Sequence, residues 1–120
     1  MKLLQRRSEI INALELLSDV RFQYDTWVRH VPSPVAQSFN DLIADLYDTG
    51  DVRRLLAQPL NDSGLTRKEH HALESAVTII DKLLEDHPSG ETDEAILHDS
   101  RWPQIRIAAG RAAKILREGE

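Results

Sequence analysis

The chain contains no cysteine. That excludes a disulfide framework, a cysteine-ligated zinc site and a thiol nucleophile. Glycine and proline number five each, too few for a loop-rich or collagen-like chain. The glycines stand alone, so neither a Gly-x-Gly-x-x-Gly fingerprint nor a Gly-rich phosphate loop is present, and no Gly-x-Ser-x-Gly elbow occurs. Aromatic residues make up only 5% of the chain. No apolar run approaches the ~18 consecutive residues that a membrane-crossing helix needs. The first nine residues are interrupted by Arg6, Arg7 and Glu9 and lead to no small-residue cleavage site. The expectation is therefore a chain without a signal peptide, located in the cytoplasm.

What remains is the composition of one globular domain. The chain has 120 residues, of which 41% are hydrophobic and 29% charged, a length and mixture typical of a single folded unit. Twenty Asp and Glu face fifteen Lys and Arg, for a net charge of −5. The acidity is regional: residues 1–31 sum to +1, 32–64 to −3, 65–90 to −2 and 91–120 to −1. Arginine outnumbers lysine 11 to 4, and with abundant Ala and Leu this fits a GC-rich bacterial genome.

Helical periodicity dominates. From Lys2 to Arg29, the residues Leu3, Ile10, Leu14, Leu17, Tyr24, Val28 and Val31 follow a 3/4 spacing, which Leu4, Ile11 and Phe22 widen into a stripe. Arg7 and Arg21 fall on the same seam, so it is not a clean coiled-coil heptad. Val31-Pro32-Ser33-Pro34 stops this helix, and Ser33 with Pro34 suits the start of a second one. That helix is expected over Pro34–Asp48, burying Val35, Phe39, Leu42, Ile43, Leu46 and Tyr47, with Gly50 as its stop. Asp51 is placed to cap a short segment carrying Val52, Leu55 and Leu56, and Asn61-Asp62-Ser63-Gly64 reads as a turn.

Thr66-Arg67-Lys68-Glu69 has the spacing of a capping box. It opens a third helix to about Asp86 that buries Leu73, Ala76, Val77, Ile80, Leu83 and Leu84. Its first residues, with Leu65 and Leu73, resemble the start of the helix-turn-helix of response regulators and sigma factors. The apolar spacing, however, runs unbroken through Leu84 where those families need a turn, and the capping box accounts for the same residues. A short segment over 92–98 buries Ala95, Ile96 and Leu97. A final helix, capped by Asp99 or Ser100, buries Trp102, Ile105, Ala109, Ala112, Ala113 and Leu116. The small residues Ala108, Ala109, Gly110, Ala112 and Ala113 allow a neighbour to approach its backbone closely. The fold predicted is all-α, a four-helix, roughly antiparallel bundle with two short extra helical segments near 51–57 and 92–98.

Three constellations bear on function. Asp41, Asp45 and Asp48 recur at i, i+4 and i+7, with Tyr47 and Asp51 beside them. Like charges at that spacing repel by a few tenths of a kcal/mol, and the macrodipole disfavours anions near a helix C-terminus. A stripe held against both suits a docking face for a basic partner. Second, His70, His71 and Glu74 lie at metal-ligand spacing on the third helix, but no second such motif supplies a facing pair, so neither a metal nor a cofactor is expected. Third, Arg101, Arg106, Arg111, Lys114 and Arg117 mark the last helix, without the concentrated basic footprint that nucleic-acid binding requires. The leading reading is a non-enzymatic, protein-binding module of the bacterial cytoplasm, in its sharpest form an immunity- or antitoxin-type inhibitor of a basic partner. The alternatives are a metal-dependent helical enzyme using His70, His71 and Glu74, and a DNA-binding regulator acting through the last helix. The length of the first helix would also suit a homodimer.

Overall fold

The computed structural model describes residues 3–28, 38–87 and 93–119. Among them the secondary structure is helical throughout, with no strand. The expected cap at Ser33, the start at Pro34 and the burial of Val31 and Val35 lie outside the described residues, as do the side chains of Leu3, Leu4 and Val28.

Three long helices build the frame: α1 (Leu3–Ser18), α6 (Arg67–Asp86) and α8 (Trp102–Glu118). α8 packs on both α1 and α6, and all six residues expected to form its inner face are buried. Close approach to α1 depends on its small residues, for a Cβ at Gly110 would stand 3.3 Å from the Ser18 Cβ. α6 buries Leu73, Ala76, Val77, Ile80 and Leu83 on its apolar stripe, while Leu84 is only partly buried. Its capping box forms as expected. Thr66 N–H donates to Glu69 Oε1 at 2.8 Å, and Glu69 N–H donates to Thr66 Oγ1 at 3.1 Å.

The first expected helix is not continuous. It stops at Ser18 and restarts as α2 (Val20–Gln23), followed by a π-helical turn over Tyr24–Val28. Asp19 makes the break, its backbone extended and its carboxylate accepting the Phe22 N–H at 2.9 Å. The carbonyls orphaned at the end of α1 are not left bare, because the Gln23 side-chain amide donates to those of Leu16 at 3.0 Å and Leu17 at 2.7 Å. Restarting the helix resets its phase. Ile10, Ile11, Leu14 and Leu17 are buried as predicted, whereas Tyr24, placed on the same seam by its spacing, is 54% exposed. Trp27 beyond the break turns inward and forms an aromatic cluster with Phe39, at 6.2 Å and edge-on, and with Trp102, at 5.8 Å. The Trp102 indole N–H donates to Gln23 Oε1 at 3.1 Å.

The second expected helix is likewise divided, into α3 (Phe39–Ala44) and a second π-turn over Asp45–Thr49. The i→i+5 bond from Gly50 N–H to the Asp45 carbonyl, at 2.8 Å, closes that turn. Phe39, Leu42 and Leu46 are buried, Ile43 and Tyr47 partly so. Gly50 ends the turn as expected, for a steric reason: a Cβ there would lie 2.8 Å from Ile10 Cγ1 and 2.6 Å from the Leu46 carbonyl oxygen. α4 (Val52–Ala57) and α7 (Asp93–Leu97) are the two short segments anticipated near 51–57 and 92–98. Where a turn was expected after Pro59, a further short helix, α5 (Leu60–Ser63), precedes Gly64.

One buried ion pair joins the frame. Arg7 on α1 reaches Glu69 at the start of α6, and the same guanidinium donates to the Leu116 carbonyl of α8 at 2.6 Å. The two side chains are only 9% and 5% exposed. Arg7 falls on the apolar seam because its charge is neutralised inside the core. Burial pushes the Glu69 carboxyl up, but bonds from Arg7 and from the Thr66 N–H outweigh it, so it is held below its ordinary value of 4.5. Gly119 closes the junction, since a Cβ there would collide with Glu69 Oε2.

Replacing Arg7 with Met leaves an unpaired buried carboxylate and should cost about 3–5 kcal/mol in urea unfolding. Arg7→Met with Glu69→Gln, which removes both charges and keeps the capping amide, should cost less than the single change. A depressed carboxylate stabilises above its unfolded pKa and loses that contribution as pH falls through its folded value. The gap between wild type and the double variant should therefore narrow in acid unfolding below pH 4.5. Gly50→Ala should destabilise by about 1–3 kcal/mol through overpacking against Ile10 and Leu46, read as a lower urea midpoint at unchanged slope.

Candidate functional site

The acidic residues singled out by spacing fall on α3 and the second π-turn, but not as one regular stripe. Ser38 Oγ accepts the Asp41 N–H at 3.1 Å, so Asp41 occupies the first turn of α3, where the macrodipole favours an anion. Asp45 and Asp48 belong to the π-turn. The change of winding places Asp48 beyond the point where α-helical i, i+7 spacing holds. Burial raises the Asp45 carboxyl above its ordinary 3.8, and repulsion from Asp41 raises it further. Asp48 is exposed. Asp51 precedes α4 in the left-handed conformation at φ 51°, which aspartate tolerates better than most residues. Its side chain makes no capping bond, contrary to expectation, and lies 3.4 Å from Arg54 Nε.

Tyr47 is engaged inside the chain. Its hydroxyl donates to Asp81 Oδ1 on α6 at 2.6 Å, and Arg53 grips the same carboxylate at 2.9 and 3.2 Å. The guanidinium lies 4.6 Å above the Tyr47 ring, a cation–π contact. Burial, then the Asp81 bond and its negative charge, push the Tyr47 hydroxyl far above its ordinary 10. This triad fastens the π-turn and α4 to α6. Sequence reasoning missed Asp81 because helical spacing marks it as the border of an apolar stripe without naming the neighbour it faces.

The histidine cluster is separated by the fold. His70 is half-buried and its Nε2–H donates to the Leu56 carbonyl at 3.2 Å, tying α6 to α4. His71 and Glu74 are exposed. Among the described residues, no three His, Asp or Glu side chains stand where they would hold a metal ion. Of the cations on the last helix, Arg117 pairs with Glu15 at 2.6 Å and Arg101 is enclosed by Asp99 and Asp86. Among the described helices, none is long and apolar enough to cross a membrane.

Two concavities open on the surface of the described residues. One, of about 210 Å³, lies among Val20, Gln23, Tyr24, Leu97, Trp102 and Arg106. A larger groove of about 280 Å³ runs between α6 and α8, with Ala72, Ile79, Ile107 and Ala108 as apolar lining and His71, Ser75, Gln104 and Arg111 as its polar groups. Its residues were visible in the sequence only as members of two separate helices.

The pattern of one family matches this sequence over residues 1–120. The chain belongs to the family described as Domain of unknown function (DUF7945). No curated protein and no solved structure gave a match. In this DUF7945 member a densely bonded polar cluster joins the end of α6 to the start of α8. His87 Nε2–H donates to Asp99 Oδ2 at 2.6 Å, and Arg101 reaches Asp99 through its Nε at 2.9 Å, an Nη at 2.7 Å and its backbone N–H at 2.8 Å. A second Nη donates to Asp86 at 2.7 Å. The expected cap at Asp99 or Ser100 does not form: Arg101 holds the N-cap position of α8 without a side-chain capping bond, and the Asp99 carboxylate instead takes the Arg101 N–H.

The Arg101 bonds, with His87 adding to them, hold the Asp99 carboxyl well below its ordinary 3.8. A carboxyl depressed in this way stabilises the fold above its unfolded pKa and releases that stability as pH falls. Asp99→Asn should lower the unfolding midpoint at pH 7, and the difference from wild type should close as the pH falls below 3.8. Thermal unfolding across an acid pH series would measure both effects.

Proposed function

We propose that this DUF7945 domain is a non-enzymatic, protein-binding module that docks a basic partner through Asp41, Asp45 and Asp48. The observation that carries the reading is the distribution of counter-charges around this edge. Arg53 and Arg54, the described cations that follow this edge in the chain, are drawn to Asp81 and Asp51. Asp45 and Asp48 have no cationic partner among the described residues, and Asp45 is further burdened by Asp41. Carboxylates that repel one another at such an edge are relieved when a basic surface covers them. The place of Asp45 and Asp48 on a π-turn adds support, since such turns are frequent at functional sites. Tyr47 and Asp51, also expected to touch the partner, act in this reading as supports that hold the turn. With its regional acidity and arginine-rich composition, the chain is similar in type to immunity and antitoxin proteins of the bacterial cytoplasm.

Affinity purification of the tagged domain from its own cells, at low and moderate salt, tests the reading. A basic protein should be retained by wild type, lost from Asp45→Lys with Asp48→Lys, and released as salt rises. An unchanged set of retained proteins in the charge-reversed variant would sink it.

A further inference from the structure

We propose that the groove between α6 and α8 is a second docking site, which receives an acidic amphipathic helix of a partner protein. The inference stands apart from the acidic edge and concerns a surface of opposite charge. Ala72 and Ala108 are small enough to let another backbone approach, and Ile79 lies beside them. Ile107 is 72% exposed, the most exposed large hydrophobic residue among those described. An isoleucine in water on the lip of an apolar groove is the arrangement that helix-in-groove recognition uses, with apolar anchors at i, i+3, i+4 and i+7 entering between two helices. The lining runs from His71 to Ile79 on one wall and from Gln104 to Arg111 on the other, roughly 12 and 10 Å at the α-helical rise, enough for two turns of a docked helix.

Charge identifies the occupant. Arg7, Arg21, Arg53, Arg54, Arg101 and Arg117 each lie within salt-bridge distance of a carboxylate. Arg111, on the groove, has no such partner among the described residues, and His71 on the opposite wall is exposed and likewise unpaired. Lys68 and Lys82 are exposed at i−3 and i+11 from His71, but the exposed Glu74 and Glu85 at i+3 and i+14 offset them, so the charge that the groove itself presents is that of Arg111. No carboxylate lines the groove. In a chain of net charge −5, an apolar channel with Arg111 on its lip and no carboxylate in its lining selects a helix that carries leucine-like residues on one face and Asp or Glu along its flank. Such a helix would set a carboxylate against Arg111 and bury Ile107.

The probe is a fluorescein-labelled helical peptide of Leu, Ala and Glu, compared by anisotropy with an isomer carrying Lys in place of Glu. The Glu peptide should bind and the Lys isomer should not. Ile107→Glu and Arg111→Glu, both substitutions at exposed positions, should each weaken binding at least about tenfold, with unchanged circular dichroism as the control for folding. Asp45→Lys with Asp48→Lys should not weaken it, so failure of the acidic-edge reading leaves this one standing, and the reverse. Equal binding of the two peptides, no binding of either, or indifference to both groove substitutions would overturn the assignment. So would self-association of wild type that Ile107→Glu abolishes in sedimentation, because the groove would then belong to a second copy.

Discussion

The Arg7–Glu69 pair joins three helices, at the start of α6, near the end of α8 and within α1. α6 begins at Glu69's capping box, α8 ends near the Leu116 carbonyl, and α1 contributes the guanidinium that reaches both. Glu69 uses one oxygen for its own helix and the other for Arg7, so local capping and long-range registry share one side chain. A buried pair of this kind adds little net stability over apolar packing, because desolvation offsets the attraction, yet it tolerates no sliding of one helix past another. Gly119 is held small by the same junction. The packing of α8 between α1 and α6 therefore has a fixed register at one end, and the aromatic cluster of Trp27, Phe39 and Trp102 fills the core farther along.

Regular winding runs through the long helices of that frame and gives way to π-turns after the short ones, α2 and α3. Each break has its own polar remedy: Asp19 and Gln23 at the first, Gly50 and the Tyr47–Asp81–Arg53 triad at the second. Of the acidic residues that drew attention in the sequence, Asp45 and Asp48 sit on the second irregular turn, which presents them differently from a straight helix. Tyr47 on that turn and Asp51 after it serve the fold, while Asp45 and Asp48 remain without counter-charge among the described residues.

Six arginines pair with carboxylates within the chain, while among the described residues Asp45 and Asp48 on the second π-turn and Arg111 on the α6–α8 groove have no counter-charge. Net charge alone describes neither surface. A chain of −5 would be expected to repel an acidic partner, but electrostatic recognition acts over about a Debye length, so the local sign at the groove decides.

Much of the fold was legible in the residues themselves. The class, the capping box of α6, the inner face of α8, the short helices near 51–57 and 92–98 and the stop at Gly50 all follow from apolar period and cap chemistry. Both are local properties that a linear reading carries. The break at Asp19 was not read, because Ile10 through Tyr24 keep a helical period and only Gln23, reaching back to Leu16 and Leu17, makes the interruption affordable. Arg7 looked like a flaw in the seam until Glu69, 62 residues away, was set against it. The candidate sites divide in the same way: local spacing named Asp41, Asp45, Asp48, His70 and His71. Whether each is free, buried or already bonded depended on Asp81, Arg53, Leu56 and α8, neighbours that only packing brings within reach. Period and capping act over a few residues, whereas the pairing of charges is settled by which helices meet, and that is a property of the folded chain.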